Sequence, residues 1–377
     1  MSGTSLDGLD IALCKIEGNG LDTKVEMLNF KTIPYDEHFK DEINSIFSKP
    51  IIETQQLCLL NEYIGKKHAQ FINETLIQWN IKNPDIDLIA SHGQTIYHAP
   101  LSLHNNNEFG NGTLQIGDGD QIAHATQIIT ISDFRQKHIA AGGEGAPLAT
   151  YGDYLLFSEK NTNRILLNIG GIANLTFLPA NAKFDEVTST DIGPGNTLMN
   201  VWAKKHFNLG FDHNASIAKS GVVNQELLSS LLKHPYFSLP YPRTTGPEIF
   251  NIEFIEQSIQ NCNITSIPVE DVMSTLNRLT SVSVCNAIEH YIGDSINTEI
   301  IVSGGGIHNP LLMSSITDHF KSIKVITSLE KGINPDAKEA ILFAILANET
   351  IFGNKDTFTN TNKNMPNVSM GKICLPD

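Results

Sequence analysis

The sequence predicts an α/β protein made of two similar halves. Apolar strand-like runs alternate with helix-periodic stretches along the chain, and the clearest strands stop at glycine turns. A glycine turn near Gly3 has an echo at Gly170-Gly171, the pattern a duplicated fold with a cleft between its halves would leave.

The elements follow in chain order. Residues 9–17 (LDIALCKIE) read as the first strand, directly after a glycine turn. Residues 54–79 carry a helical pattern. DIDLIASHG (85–93) is a buried-strand run ending at a glycine, and TLQIGD (113–118) and QIITISDF (127–134) are two more short strands. RILLNIGG (164–171) is the clearest strand, with Ile165, Leu167 and Ile169 running up to Gly170-Gly171. Helical patterns cover 196–207 and 269–291, and TEIIVSGGG (298–306) repeats the strand-to-glycine form. A last helix spans 336–348 and extends to about 352, with Pro335 ahead of it and apolar residues at Ala340, Ile341, Phe343, Ala344 and Ala347. Residues 102–112 and 353–364 read as exposed loops. Trp79 and Trp202 fall in helical patterns and are expected in the core.

At 377 residues and 41% hydrophobic content the chain suits two domains, divided as 1–162 and 163–377. Against 26 Lys and Arg stand 41 Asp and Glu, a formal charge of −15. That balance argues against a sequence-independent nucleic-acid binder and against an anionic membrane surface. It leaves room for a small anion held by backbone N–H groups. The five cysteines are odd in number and none forms a CxxC pair, so neither a disulfide framework nor a structural zinc site is expected. No run of 18 apolar residues occurs, and the first residues have neither a basic nor an apolar signal segment; a cytoplasmic location is expected.

The motifs GxxxxGK[ST], GxGxxG, HExxH and GxSxG are all absent. Polar glycine turns remain. Gly3-Thr4-Ser5-Leu6-Asp7-Gly8 reads as a phosphate clamp with hydroxyl donors and a carboxylate for a metal, directly or through water, or as an ordinary turn in which Asp7 bonds its own backbone. Residues 168–176 (NIGGIANLT) present Gly170, Gly171 and Asn174 either to an anion or merely as a hairpin turn. Ser303-Gly304-Gly305-Gly306 would let a flat ring such as adenine lie on the backbone, or would make a tight strand-to-helix turn. In TDIGPGN (190–196), Asp191 sits on a rigid turn and could act as a general base or as a capping residue. His92, in SHGQT, stands at a strand end that would face a cleft, or is a satisfied structural histidine. Arg135, after a strand, could grip a carboxylate or pair with Asp133 or Glu144.

In this order MSGTSLDG, SHGQT, GDGDQIA, DFR, AAGGEGAPL, LNIGGIANLT, TDIGPGN and SGGG closely resemble the anhydro-N-acetylmuramic acid kinases, over nearly the whole chain. The resemblance implies the actin-like (ribonuclease H-like) ATPase fold shared by sugar kinases and Hsp70-type chaperones. It implies a bacterial cell-wall recycling enzyme, a homodimer that uses ATP and Mg²⁺. That enzyme opens 1,6-anhydro-N-acetylmuramic acid with water and phosphorylates O6. It further implies Asp191 as the base, residues 3–8 and 168–176 as phosphate loops, 303–306 as the adenosine loop, and Thr95, Arg135 and Glu339 as sugar contacts. A non-enzymatic nucleotide-gated module, or a phosphoanhydride phosphatase on the same fold, is the alternative. Two departures stand out. The family carries an apolar strand ahead of the first motif, where this chain has Met1; losing that strand would leave a sheet edge unpaired. Pro247 stands where the family has a basic residue, which removes a donor.

Overall fold

The computed structural model describes all residues except 4, 5, 263–265, 294, 296, 355 and 360–364. In chain order its strands are β1 (Gly8–Glu17), β2 (Lys24–Pro34), β3 (Ile89–Ser91), β4 (Gln94–Ala99), β5 (Gly112–Ile116), β6 (Thr130–Ser132), β7 (Asn163–Ile169), β8 (Ile172–Leu178), β9 (Thr188–Pro194), β10 (Thr298–Ser303), β11 (Lys324–Thr327) and β12 (Lys372–Cys374). Helices lie between most of them, so the chain is α/β as its patterning predicts. No helix among the described residues is long and apolar enough to cross a membrane.

The chain forms two compact units. The second comprises Phe157–Ala182 and Glu186–Lys331. Its sheet has the order β11-β10-β7-β8-β9, with β7, β8 and β9 an antiparallel meander and β10 and β11 added in parallel to β7. This is the mixed sheet of a ribonuclease H-like half. Strand β10 (TEIIVS) is buried on both faces, which is why it reads as a near-continuous apolar run rather than as alternation. Ile165, Leu167, Ile169, Ile300 and Val302 share one face and pack on Val284, Ile288, Leu312 and Ile316 from helices Val269–Ile292 and Pro310–His319. Burying each such side chain is worth about 1.5–3 kcal/mol.

The first unit comprises Met1–Leu156, Lys183–Asp185 and Gly332–Asp377. Among the described residues its strands pair as the hairpin β1-β2, the set β12-β6-β3 and the pair β4-β5, with Ser2 bridging Leu9 of β1 and Gln94 of β4. Leu6, Leu9, Tyr35, Phe39, Ile64 and Ile116 belong to one of its cores. The chain therefore groups otherwise than as a single cut between residues 162 and 163. The reason is the last helix, Lys338–Phe352, whose apolar face lies on β1 and β3, with Phe343 against His92 and Phe134.

Most patterned elements lie close to their expected positions: helices Thr54–Gln78, Thr197–Phe207 and Val269–Ile292 start or stop within a residue or two. Trp202 is buried, whereas Trp79 is only half-buried. Two expected strands are short. Only Ile89–Ser91 and Thr130–Ser132 pair, because β3 and β6 meet each other over just three residues. The loop expected at 102–112 begins as a short helix, Leu101–His104, and of the stretch 353–364 the positions 355 and 360–364 lie outside the described residues.

Candidate active site

In the second unit, one polar row crosses the sheet. Ser303 on β10 pairs with Asn168 on β7, Asn168 with Asn174 on β8, and Asn174 with Asp191 on β9. Directly paired residues project on the same face, so four strands each bring one polar side chain to one level. A β-bulge makes the last match. Ala173 pairs with Gly193, but Asn174 pairs with Asp191, so Ile192 is the extra residue and turns into the apolar core. Without the bulge, Ile192 would face Asn174.

The Asp191 carboxylate accepts the Thr245 N–H at Oδ2, 2.9 Å away. Its main chain is tied as well: its N–H donates to the Arg243 carbonyl at 2.9 Å, and its carbonyl accepts the Tyr236 hydroxyl at 3.1 Å. Burial raises the Asp191 pKa, the Thr245 N–H pulls it back down, and the Glu248 charge raises it again. A half-buried, oriented carboxylate with a raised pKa is a competent proton acceptor near neutral pH. Asn196 precedes the following helix, but its amide reaches back to the Ile169 and Gly170 carbonyls instead of capping it.

The glycines of this unit divide by cause. Gly195 donates to the Gly171 carbonyl, and a Cβ there would stand 2.4 Å from the Gly170 oxygen. The turn at 170–171 and the start of helix Thr197–Phe207 are thus docked on each other. Gly304 has φ +82° and its Cβ would meet Asn168 Oδ1 at 2.6 Å, while a Cβ on Gly306 would strike Ile169. Those two serve close packing on β7. Gly305 is exposed and nothing protein-borne crowds it closely, the nearest atom being Asn196 Nδ2 at 3.9 Å. Its backbone is bare surface that a ligand can approach.

In the first unit, the turn before β1 carries a conformational outlier. Leu6 is buried yet has φ 56°, a sparsely populated region for a bulky residue. A Cβ on Gly8 would lie 2.4 Å from the Ile33 carbonyl, so this glycine is required by the hairpin. Asp7 is exposed, and its carbonyl accepts the Tyr35 N–H. Thr4 and Ser5 lie outside the described residues. Gly3 is held from below: Gln94 Nε2 donates to its carbonyl at 3.2 Å, Ser2 Oγ donates to Gln94 Oε1, and Tyr35 donates to Ser2 at 2.8 Å. Tyr35 spends its single proton on Ser2, which leaves His68 to donate from Nε2 at 2.9 Å.

Arg135, in the helix after β6, is fixed on two sides. Its Nη1 donates to the Gly145 carbonyl at 2.7 Å, and its Nε and Nη2 lie 3.1 and 3.0 Å from His92 Nε2. Asp133 pairs instead with Lys372 at 2.5 Å, and the Glu144 carboxylate accepts from Ser102. His92 is buried, with Nδ1 at the Ser2 and Gly93 carbonyls, and burial together with the Arg135 charge lowers its pKa to about 3. It is a neutral acceptor that aims the guanidinium. Glu339, exposed at the start of helix Lys338–Phe352, lies close enough to act electrostatically on Arg135. Thr95 accepts from Gln115 Nε2 at 3.2 Å on the neighbouring strand. Among the described residues no group of three or more His, Cys, Asp or Glu could hold a metal ion.

Sequence reasoning passed over Tyr236, Arg243 and Thr245. The segment 243–248 drew notice only for Pro247, since no pattern links a loop to an aspartate some fifty residues earlier. The bulge had a signal: Gly193, inside a strand run, with φ +148°.

A family model described as anhydro-N-acetylmuramic acid kinase matches residues 1–374. The chain is 52% identical to the protein of that name from Pseudoalteromonas atlantica, covering 100% of this chain and 94% of the relative. It is 50% identical to that of Pseudoalteromonas translucida with the same coverage. To that of Caldanaerobacter subterraneus subsp. tengcongensis it is 39% identical, over 100% of this chain and 96% of the relative.

Proposed function

The chain belongs to the anhydro-N-acetylmuramic acid kinase family, and from that premise we propose the following reaction and division of labour. The enzyme uses ATP to convert 1,6-anhydro-N-acetylmuramic acid to N-acetylmuramic acid 6-phosphate in peptidoglycan recycling. Asp191 takes a proton from water. The water oxygen bonds to C1, the C1–O6 bond breaks, and O6 attacks the γ-phosphorus as the bond to ADP breaks. Asp191 then gives the proton to solvent. The observation that carries this reading is the Asp191 carboxylate, held by Thr245 and brought by the bulge into a row of uncharged polar residues.

Gly3, Thr4, Ser5, Leu6, Asp7 and Gly8, with Gly170, Gly171 and Asn174, are assigned to the ATP phosphates, and Gly304, Gly305 and Gly306 to adenosine. Backbone N–H groups suit this task in a chain of charge −15. Mg²⁺ bound with ATP would be held on the protein side by the exposed Asp7 carboxylate, directly or through water, and would neutralise phosphate charge. Thr95, Arg135 and Glu339 are assigned to the sugar, with the Arg135 guanidinium as the natural partner of its lactyl carboxylate. A cytoplasmic homodimer is the state the family resemblance implies, and light scattering measures the second half of that statement.

The test is ADP release with ATP, Mg²⁺ and the anhydro sugar, with product identified by mass. A folded sample that releases no ADP above its sugar-free rate sinks the reading, and free phosphate with unchanged sugar would indicate a phosphatase. Asp191→Asn should keep ATP binding and lose about 10²–10⁴-fold in kcat.

A further inference from the structure

Arg243 is buried in the second unit, and the hydrogen bonds of its guanidinium among the described residues go to carbonyls and a hydroxyl, not to a carboxylate. Nη1 donates to the Tyr236 carbonyl at 2.9 Å and the Leu239 carbonyl at 3.1 Å. Nη2 donates to the Ile192 carbonyl at 3.1 Å and the Tyr241 hydroxyl at 3.0 Å, while Nε has no partner among the described residues. The guanidinium lies against two rings, its Cζ 4.4 Å from the centre of Tyr236 and 4.3 Å from that of Tyr241. Burying a charge in this way is costly, and an apolar side chain of equal volume would serve packing as well. What an apolar side chain lacks is a planar fork of donors.

Two of the groups that fork touches, Ile192 and Tyr236, border Asp191. Ile192 is the bulged residue beside it. Tyr236 donates its hydroxyl to the Asp191 carbonyl. The Arg243 carbonyl receives the Asp191 N–H, and the Arg243 N–H bonds to Thr190 Oγ1 at 2.9 Å. Two residues further on, Thr245 places its N–H on the Asp191 carboxylate. We propose that Arg243 is a positioning residue for the Asp191 base: its fork locks the bulge at Ile192, the turn at Tyr236 and the loop at Thr245 into one arrangement that aims the carboxylate. It rests on the reading of Asp191 as the base.

The experiment compares Arg243→Met, Arg243→Lys and Tyr236→Phe with Asp191→Asn, reading kcat, the KM for ATP, the pH profile and thermal melting. Loosening the clamp by a fraction of an ångström to an ångström is expected to lower kcat by roughly 10²-fold in Arg243→Met, with the KM for ATP within about threefold. Arg243→Lys keeps the charge with fewer donors and recovers part of the loss. The groups facing the carboxylate are Glu248, Tyr236 and the Thr245 N–H. Loss of the Thr245 hydrogen bond raises the Asp191 pKa, so the acidic limb moves to higher pH. Should Arg243→Met fail to fold, Arg243→Lys and Tyr236→Phe decide by the same two readouts. Wild-type kcat, or a loss of kcat with an unmoved acidic limb, overturns the proposal. A kcat unaffected in Asp191→Asn overturns the base assignment itself, whereas an inactive Asp191→Asn beside a fully active Arg243→Lys overturns only the role of Arg243.

Discussion

The two units carry similar glycine turns on different foundations. In the second, the turn at 170–171 grows from β7, which is bonded to β8 on one side and β10 on the other. In the first, the turn at residues 3–8 has single bridges from Ser2 to Leu9 and Gln94, and β1 and β3 belong to different sheets. Beside the few backbone bonds there, such as Tyr35 N–H to the Asp7 carbonyl, it leans on side chains, the buried run from His68 through Tyr35, Ser2 and Gln94 to the Gly3 carbonyl. A ladder of backbone bonds tolerates changes of side chain; a side-chain relay does not, because removing one member leaves the next buried and unpaired.

The largest expected effect breaks the ladder at its docking point. Gly195→Ala forces a Cβ to 2.4 Å from the Gly170 oxygen, so the turn must move, and ATP affinity should fall by at least about tenfold by calorimetry. Acid should separate the units next. Burial lowers the pKa of His68 and His92 to about 3 and of His138 to about 4, and all three lie in the first unit. These groups are depressed in the folded state, so their stabilisation is complete above about pH 6.5 and is lost as pH falls toward 3–4. The loss is about 1.4 kcal/mol per histidine per pH unit. Each unit holds one of the two tryptophans, Trp79 and Trp202. Single-tryptophan variants should therefore report acid unfolding of the first unit at a higher pH than that of the second. Coincident transitions would erase the distinction.

Within the relay, Tyr35→Phe leaves His68 and Ser2 without the hydroxyl they share. A destabilisation of about 1–3 kcal/mol is expected in denaturant melts. If it costs nothing, side chains do not hold that turn. The smallest effect belongs to Gly305→Ala. Its Cβ would make only an ordinary contact, 3.9 Å from Asn196 Nδ2, so stability should change by less than about 0.5 kcal/mol while the KM for ATP rises. Gly304→Ala, at φ +82° against Asn168, should lose stability as well.

The legible parts of the sequence were those written locally. RILLNIGG and TEIIVSGGG announce β7 and β10 because a strand buried on both faces needs an unbroken apolar run. Asp191 stood out through its glycine and proline neighbours. β2, by contrast, passed unnoticed, since its residues alternate exposed and half-buried and only pairing with β1 makes them a strand. The helix Lys338–Phe352 was legible as a helix but not as part of the first unit, because an apolar face does not state its partner. Arg243 was invisible for the same reason. Its partners are the main-chain carbonyls of Tyr236, Leu239 and Ile192, and carbonyls leave no mark on composition.

The bulge at Ile192 makes the chemistry depend on chain length as well as on side chains. Each strand of the sheet is a ruler with a step of one residue, and the row from Ser303 to Asp191 exists where four rulers agree. Deleting Ile192 would restore an even ladder and leave Asp191 opposite Asn174, with the core short of one isoleucine. Inserting one residue between Thr188 and Asp191 would instead slide the earlier half of β9 past β8 and exchange its faces. Reading-frame-preserving indels in these few codons are therefore the changes that this site is built least able to absorb.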